Sequence, residues 1–577
     1  MTENRMKSRI WLLICVLVTA VFLVMTVKVY PVAIDKHNFL NYSLTFDIKQ
    51  DWNIWIAGIL TAGLAVVLLF RYMTKTSVTK RSEIRMSESE NEAADERSVQ
   101  KKIFRFSFLC NAIVWGCVLL LLFPGTGMND TVFCMKSPIN SAQIQPLIFE
   151  AAVYWGMRLF GMLTGSSVAA HALLVWIQMM FCAWAAAYAV AWLYRKKIKA
   201  SICYAVAAAF ALSPVMADYA VTLIKDTVFG FLLLLLLLQS YDLICEKQER
   251  MTNRQALKLA VLMVFTTLLR NNGIVINVVL LLVLFFIKKA DRRKLTAALL
   301  AVVVCTKLNG AIVSHYHPQD HSFREATGVL TQQMAAVIAR DGTMSEEEEA
   351  FLNSVLPLER WKEWYLFDFV DRIKFHPEFD LTFLNAHKAE YIRTWHSLLK
   401  KNFKIYVDAY LFHTYQLWNV AGFDRACLDY TQSVFVRLNN NETDDSVSGQ
   451  YLQSIGLANH SVFPQMFVNA LTDTFVRACE LNLLLNPGCM ICILLLCIFF
   501  LLAARRMAEL VFLVPQLCFW LIFMAATPAG GPFRYSFYLL VCLPFGILLT
   551  WKAVYGSQAA AAVFSPERRR KEGEMRG

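Results

Sequence analysis

Lys225-Asp226-Thr227-Val228-Phe229-Gly230-Phe231 opens into seven consecutive leucines at 232–238. A helix needs about 20 mostly apolar residues to cross the hydrocarbon of a bilayer, and the stretch 220–243 supplies that length. Lys225 and Asp226 stand where the long apolar run begins. Ionisable groups at membrane depth are costly and are functional candidates by default. The stretch therefore predicts a membrane helix with charge at its mouth.

The rest of the chain reads the same way. Its 577 residues are 57% hydrophobic and 17% charged, whereas a soluble domain carries about 25% charge. Apolar runs predict spans near residues 9–30, 53–71, 104–123, 169–194, 201–217, 220–243, 256–270, 274–287, 295–313, 487–504, 508–526 and 533–552. The fold class is all-α, a polytopic membrane protein of about 12 transmembrane helices. The stretch 256–287 is either two short helices broken at Asn271-Asn272-Gly273 or one kinked helix.

The net charge is +12. The excess lies in short loops between apolar runs, including Arg195, Lys196, Lys197 and Lys199, and Lys288, Lys289, Arg292, Arg293 and Lys294. That alternation predicts cytoplasmic N- and C-termini in a multi-pass protein of the plasma membrane. No basic patch interleaved with aromatics is present, so nucleic acid is not an expected partner. The cysteines fall mostly inside apolar runs, where they pack as small hydrophobes; this includes the Cys489–Cys492 pair. The first apolar run is too long for a cleaved signal peptide and lacks a small-residue cleavage site.

The predicted organisation has six parts. A two-helix membrane appendage (1–72) is followed by a polar cytoplasmic linker (73–103), expected to be disordered over 82–97. A transmembrane module (104–313) contains the first large outside loop, 124–168. Next come a mostly helical external domain (314–486), the C-terminal transmembrane helices (487–552) and a basic cytoplasmic tail (553–577). Within the external domain, Ser345 and Glu348 fit a capping box. The stretch 439–459 is polar and reads as a loop.

Loop 124–168 follows Phe123 with Pro124-Gly125-Thr126-Gly127-Met128-Asn129-Asp130. It continues through Gln143, Gln145 and Pro146 into an amphipathic stretch, 147–163, bearing Glu150 and Arg158. Alternation of the spans puts Asp218, Lys225, Asp226, Arg270, Arg534 and Tyr535 on the same side. Lysine and arginine at an apolar boundary suit a phosphate, and a carboxylate beside them can take a proton from a hydroxyl. Each residue also has a plainer reading. Asp130 fits a turn or helix cap, Lys225 and Asp226 a mutually satisfied pair, Arg270 a helix end before an Asn-Asn-Gly stop, and Arg534 an interfacial anchor. His315, His317, Asp320 and His321 offer ligand types for a divalent cation, with a proline interrupting them. Asn41, Asn441 and Asn459 begin N-glycosylation sequons.

Asp130, Lys225-Asp226, Leu269-Arg270-Asn271-Asn272-Gly273 and Phe533-Arg534-Tyr535, in this order, resemble the GT-C superfamily of membrane glycosyltransferases. The resemblance covers about residues 104–550. Within the superfamily the chain looks most like an uncharacterised bacterial family of large membrane proteins, to which Gln332-Gln333 and the Tyr365…Asp371…Lys374 pattern are also similar. The resemblance implies a GT-C-like fold and a polyprenyl-phosphate sugar as donor. It implies that Asp130 is the catalytic base, or positions the acceptor or a metal ion, and that Lys225, Arg270 and Arg534 contact the donor phosphate. Gln143, Gln145, Asp218, Asp226 and Tyr535 are further substrate-binding candidates, from their place in the outside loop or on the same face of the bilayer. The chain departs from the pattern in two places. Asn129 stands where many relatives carry a second acid, and Gln145 precedes Pro146 where many carry histidine.

The expected function is therefore transfer of a sugar from a polyprenyl phosphate to a cell-envelope glycan, lipid or protein at the outer face of the bilayer. No cofactor is required by the residues themselves; a divalent cation is the one the resemblance allows. The rival readings are a membrane transporter, against which the absence of matched halves speaks, and a non-catalytic envelope-assembly protein.

Overall fold

A computed structural model describes residues 2–34, 51–75, 90–139, 145–245, 250–287, 291–316, 321–420, 447–470, 473, 486–526 and 533–555. The protein is almost entirely helical, and several helices are long and apolar enough to cross a membrane. Seven described helices meet that test by length and composition: Thr2–Ile34, Trp52–Lys75, Glu90–Leu121, Ser167–Arg195, Lys225–Cys245, Arg292–Tyr316 and Phe537–Tyr555. An eighth candidate is the pair Ala200–Leu212 and Pro214–Val221, bent by 58° at Ser213. Ser213 accepts a hydrogen bond from the Met216 N–H and Pro214 opens the second helix, so the break is a capped restart. Asn253–Leu269, Gly273–Ile287, Pro487–Ala503 and Leu510–Ala526 are apolar but shorter.

The break expected at Asn271-Asn272 is present, between Asn253–Leu269 and Gly273–Ile287. Gly273 is needed there: a β-carbon would fall 2.2 Å from the Thr266 carbonyl oxygen. Asn277 ties the two helices together, its amide donating to the Met263 carbonyl and the Thr267 hydroxyl.

Lys225–Cys245 is the central helix. It packs against Ser167–Arg195, Asn253–Leu269, Leu510–Ala526 and Phe537–Tyr555, and Leu233 through Leu238 are all buried. An all-round apolar helix belongs in such a place. By contrast Leu60, Leu64, Val304 and Leu308 are exposed on Trp52–Lys75 and Arg292–Tyr316, the pattern of helices that meet lipid on one side. The two N-terminal helices pack on each other, and the first packs on Pro487–Ala503. Phe70 of the second meets Phe500 edge-on.

Three expectations change. The linker at 73–103 is not irregular throughout, because Glu90–Leu121 runs as one helix from within it. Residues 90–103 are rich in Glu, Ala, Lys and Gln, which favour helix. The polar stretch 439–459 holds a helix, Val447–Ser454, with Leu452 buried. The all-helical expectation misses one parallel pairing of two short strands, β1 (Thr126–Gly127) and β2 (Thr222–Leu223).

The long segment after Tyr316 is mostly helical between Ser322 and Trp418. The capping box at its helix Glu346–Val355 is formed: the Glu348 N–H donates to the Ser345 hydroxyl, and the Ser345 N–H donates to the Glu348 carboxylate. The segment is seated on the apolar helices. The Tyr410 hydroxyl donates to the Met524 carbonyl, and the Trp520 indole donates to the Leu417 carbonyl, both at 3.0 Å.

Candidate active site

β1 and β2 build the site. Thr126 pairs with Thr222 and Gly127 with Leu223. Gln178 of helix Ser167–Arg195 donates to the Thr222 carbonyl at 2.7 Å, and the Thr131 hydroxyl donates to the Leu223 carbonyl at 2.5 Å. The chain reaches β1 through Gly125, whose φ of +98° and approach to Val175 and the Val221 carbonyl leave no room for a side chain. Each strand leads within a few residues into a helix: Asn129–Lys136 after β1, and Lys225–Cys245 after β2. The pairing therefore sets Asp130, in the first turn of one helix, against Lys225, the first residue of the other.

Asp130 Oδ2 accepts hydrogen bonds from Arg534 Nη1 at 2.9 Å and Lys225 Nζ at 3.3 Å. Lys225 also donates to Gln145 Oε1, and the Gln145 amide stands beside the Asp130 carboxyl and favours its charged form. Arg534 Nη1 touches the Met128 sulfur at 3.9 Å. Burial opposes the charged form of Asp130, but Arg534 and Lys225 outweigh it and hold the carboxyl well below the usual carboxylate range. The helix N-terminus favours the same charge.

Behind this group Arg270 is ion-paired with Asp226, both buried. The Arg270 guanidinium also lies over four rings: Tyr535 at 5.0 Å, Phe523 at 5.3 Å, Phe229 at 5.8 Å and Phe519 at 6.0 Å. Phe523 and Tyr535 are themselves stacked. Arg270 is thus enclosed, its charge met by Asp226 and by ring faces.

Among the residues picked from sequence, Asp130, Gln145, Lys225 and Arg534 are brought together directly. Asp226, Arg270 and Tyr535 form the adjoining caged group. Asp218 is fully buried in helix Pro214–Val221, and its backbone carbonyl accepts from the Thr222 hydroxyl at 2.8 Å; this contact serves the turn leading to β2. Gln143 lies outside the described residues, as do His317 and Asp320 of the suggested metal cluster. Among the described residues no three His, Cys, Asp or Glu side chains are placed to hold a metal ion. Asp130, the acid a metal would need, is already shared by two cationic side chains. A divalent cation does not fit this donor set.

Sequence reasoning missed the cage residues Phe229, Phe519 and Phe523, which look like ordinary apolar span residues. Asn459, which begins one of the sequons, has a structural task. That residue is buried, and its amide donates to the Leu122 and Gly125 carbonyls at 2.7 and 2.9 Å, so it braces the loop before β1 and is not a free glycan acceptor. The other sequons, at Asn41 and Asn441, lie outside the described residues.

The long helical segment carries a second ionic cluster. Lys374 is fully buried, with Glu325 and Asp371 each 2.9 Å away. Burial opposes its charge, but those two acids raise its pKa. Asp371 is raised by burial, against the pull of Lys374 and, from the C-terminal helices, of Arg534. Gln332 and Gln333 are structural here: they donate to the Leu366 and Tyr406 carbonyls.

Residues 148–563 match a family of unknown function, DUF6020. The chain belongs to this family. The match to DUF6020 takes in Asp218, Lys225, Asp226, Arg270, Arg534 and Tyr535, and begins after Asp130 and Gln145. No curated protein matches the chain, and no solved structure matches it.

Proposed function

We propose that this DUF6020 protein is a GT-C-like glycosyltransferase of the plasma membrane. About 12 helices cross the bilayer, both termini are cytoplasmic, and the site opens at the outer face. It moves a sugar from a polyprenyl-phosphate donor to an envelope glycan, lipid or protein. One observation carries this reading: a carboxylate, two cations and an amide converge at the mouth of the central apolar helix from four separate parts of the chain. A lipid-borne phosphate is the anion that arrives at that depth.

The reaction is a single displacement. The acceptor hydroxyl oxygen forms a bond to the anomeric carbon, and the bond from that carbon to the phosphate oxygen breaks with its electron pair going to phosphate. Lys225 and Arg534 hold the phosphate as its charge grows, and Asp130 takes the acceptor's proton. The segment 321–418, seated over the helices, supplies the acceptor side. Arg270, expected from the resemblance to touch phosphate, instead stiffens the floor of the site through Asp226 and its rings.

The test is turnover by the purified protein in lipid with labelled polyprenyl-phosphate sugars and envelope extract, compared with Asp130→Asn. Transfer or donor hydrolysis lost in the variant, with folding kept, supports the reading. A protein that neither turns over nor binds any polyprenyl phosphate moves the weight to transport or scaffolding.

A further inference from the structure

The cations that should grip a donor phosphate are already engaged. Lys225 Nζ and Arg534 Nη1 converge on one atom, Asp130 Oδ2. The third cation, Arg270, is committed to Asp226 and enclosed by rings. A phosphate arriving at this depth therefore meets a lysine and an arginine whose shared partner is the protein's own carboxylate. Lys225 also holds the neutral Gln145 amide, and Arg534 also touches a thioether at 3.9 Å, a poor acceptor. At longer range Arg534 faces Asp371.

The same geometry creates a difficulty for the chemistry. A general base works best with a pKa near the operating pH. Asp130, gripped by two cations, sits far below that and holds a proton poorly. The groups that face it are Arg534, Lys225 and Gln145, with Arg270 at longer range and Cys134 one turn along its own helix. The two cations are the leading causes of its lowered pKa, so drawing them away restores its basicity.

We propose that the Lys225–Arg534 pair is a phosphate site whose resting occupant is the Asp130 carboxylate, and that the donor's phosphate displaces that carboxylate and so frees it to act as the base. The proposal rests on the glycosyltransferase reading above and adds its regulation: the base is switched on by the donor. The charges balance through the step. The phosphodiester goes from one negative charge to two as the sugar leaves, while Asp130 goes from one to none as it takes the acceptor's proton. When the lipid phosphate departs, Asp130 gives the proton to water and closes again on Lys225 and Arg534. Without donor the carboxylate stays locked.

Binding of a polyprenyl monophosphate lacking sugar decides the matter, measured on the full chain in nanodiscs with the neutral polyprenol as control. Asp130→Asn removes the competing charge and should bind the phosphate about tenfold tighter than wild type, and Arg534→Gln about tenfold more weakly. Asp130→Glu keeps the competitor and should bind like wild type, which guards against a folding artefact in the Asn variant. The phosphate-induced rise in melting temperature should be largest for Asp130→Asn. If wild type binds and Arg534→Gln loses binding, but Asp130→Asn binds equally or more weakly, the lock is wrong and the donor reading stands. If neither wild type nor Asp130→Asn binds the phosphate better than the polyprenol, the donor reading itself fails.

Discussion

The Thr126 and Thr222 hydroxyls meet at 2.7 Å across a parallel pairing only two residues long. Thr222 donates to the Asp218 carbonyl, which leaves Thr126 as the donor between them. This contact stands four residues before Asp130 and three before Lys225, so it is the joint that fixes acid against cation. Thr222→Val keeps the shape and removes both bonds, leaving the buried Thr126 hydroxyl without its partner. The expected cost is about 1–3 kcal/mol, read by thermal unfolding in detergent, together with weaker binding of polyprenyl phosphate. A variant that unfolds and binds like wild type would show that the joint does not position the site.

Arg270 and Asp226 make a different prediction, because both are buried and each is the other's charged partner. Asp226→Asn leaves a guanidinium enclosed by rings with no anion, and a broken buried pair costs about 3–5 kcal/mol. The double variant Asp226→Leu with Arg270→Met removes both charges and should recover most of that loss. Melting of the two single variants and the double gives the coupling directly. A double variant as unstable as the worse single would contradict the pairing. Arg270→Lys should also lose stability, since an ammonium cannot lie flat between Tyr535 and Phe523 as a guanidinium does.

Much of the framework could be read from residue type alone. The apolar runs mark their helices within a few residues, the Asn271-Asn272 break is where side-chain amides and glycine put it, and Ser345 with Glu348 announces a cap three residues apart. These are local signals, carried by neighbours in sequence. The site is not local. Thr126 and Thr222 carry no pattern that a two-residue strand would impose, and Phe229, Phe519 and Phe523 resemble any lipid-facing aromatic until the fold gathers them on Arg270. Asp218 adds a backbone role that its side-chain type does not announce: its carbonyl closes the turn before β2 by accepting from the Thr222 hydroxyl. The start of Glu90–Leu121 escapes a reading by composition, because polar residues argue against a buried core but not against a helix that projects from one.

The pH dependence follows from Asp130. Its folded pKa lies below the unfolded value of about 3.9, so its ion pairs stabilise the protein fully above that value and the contribution is lost as pH falls through the folded pKa. Between about pH 5 and 6 the stability difference between wild type and Asp130→Asn should therefore be constant. It should shrink only below about pH 4. Unfolding of both proteins across that range checks the sign. A difference that already shrinks between about pH 6 and 5 would mean that Asp130 is not held by Lys225 and Arg534 in the resting protein.

Asn459 reaches across the chain to close the loop in front of β1. Its amide donates to the Leu122 and Gly125 carbonyls, and the next N–H, that of His460, donates to the Phe123 carbonyl at 2.6 Å. All three bonds end on backbone carbonyls of the turn that leads into β1. Asn459→Ala deletes two donors and should cost about 1–3 kcal/mol. Asn459→Asp, although nearly the same shape, should cost more, because it aims a carboxylate oxygen at carbonyl oxygens that need a donor. Ser461→Ala destroys the sequon equally well but removes only a hydroxyl that accepts from the exposed Phe463 N–H, so it should leave unfolding unchanged. The order Asp worse than Ala, with Ser461→Ala neutral, is what a structural brace requires. A glycan acceptor would instead make Ser461→Ala and Asn459→Ala equivalent, and thermal unfolding of the three variants side by side separates the two.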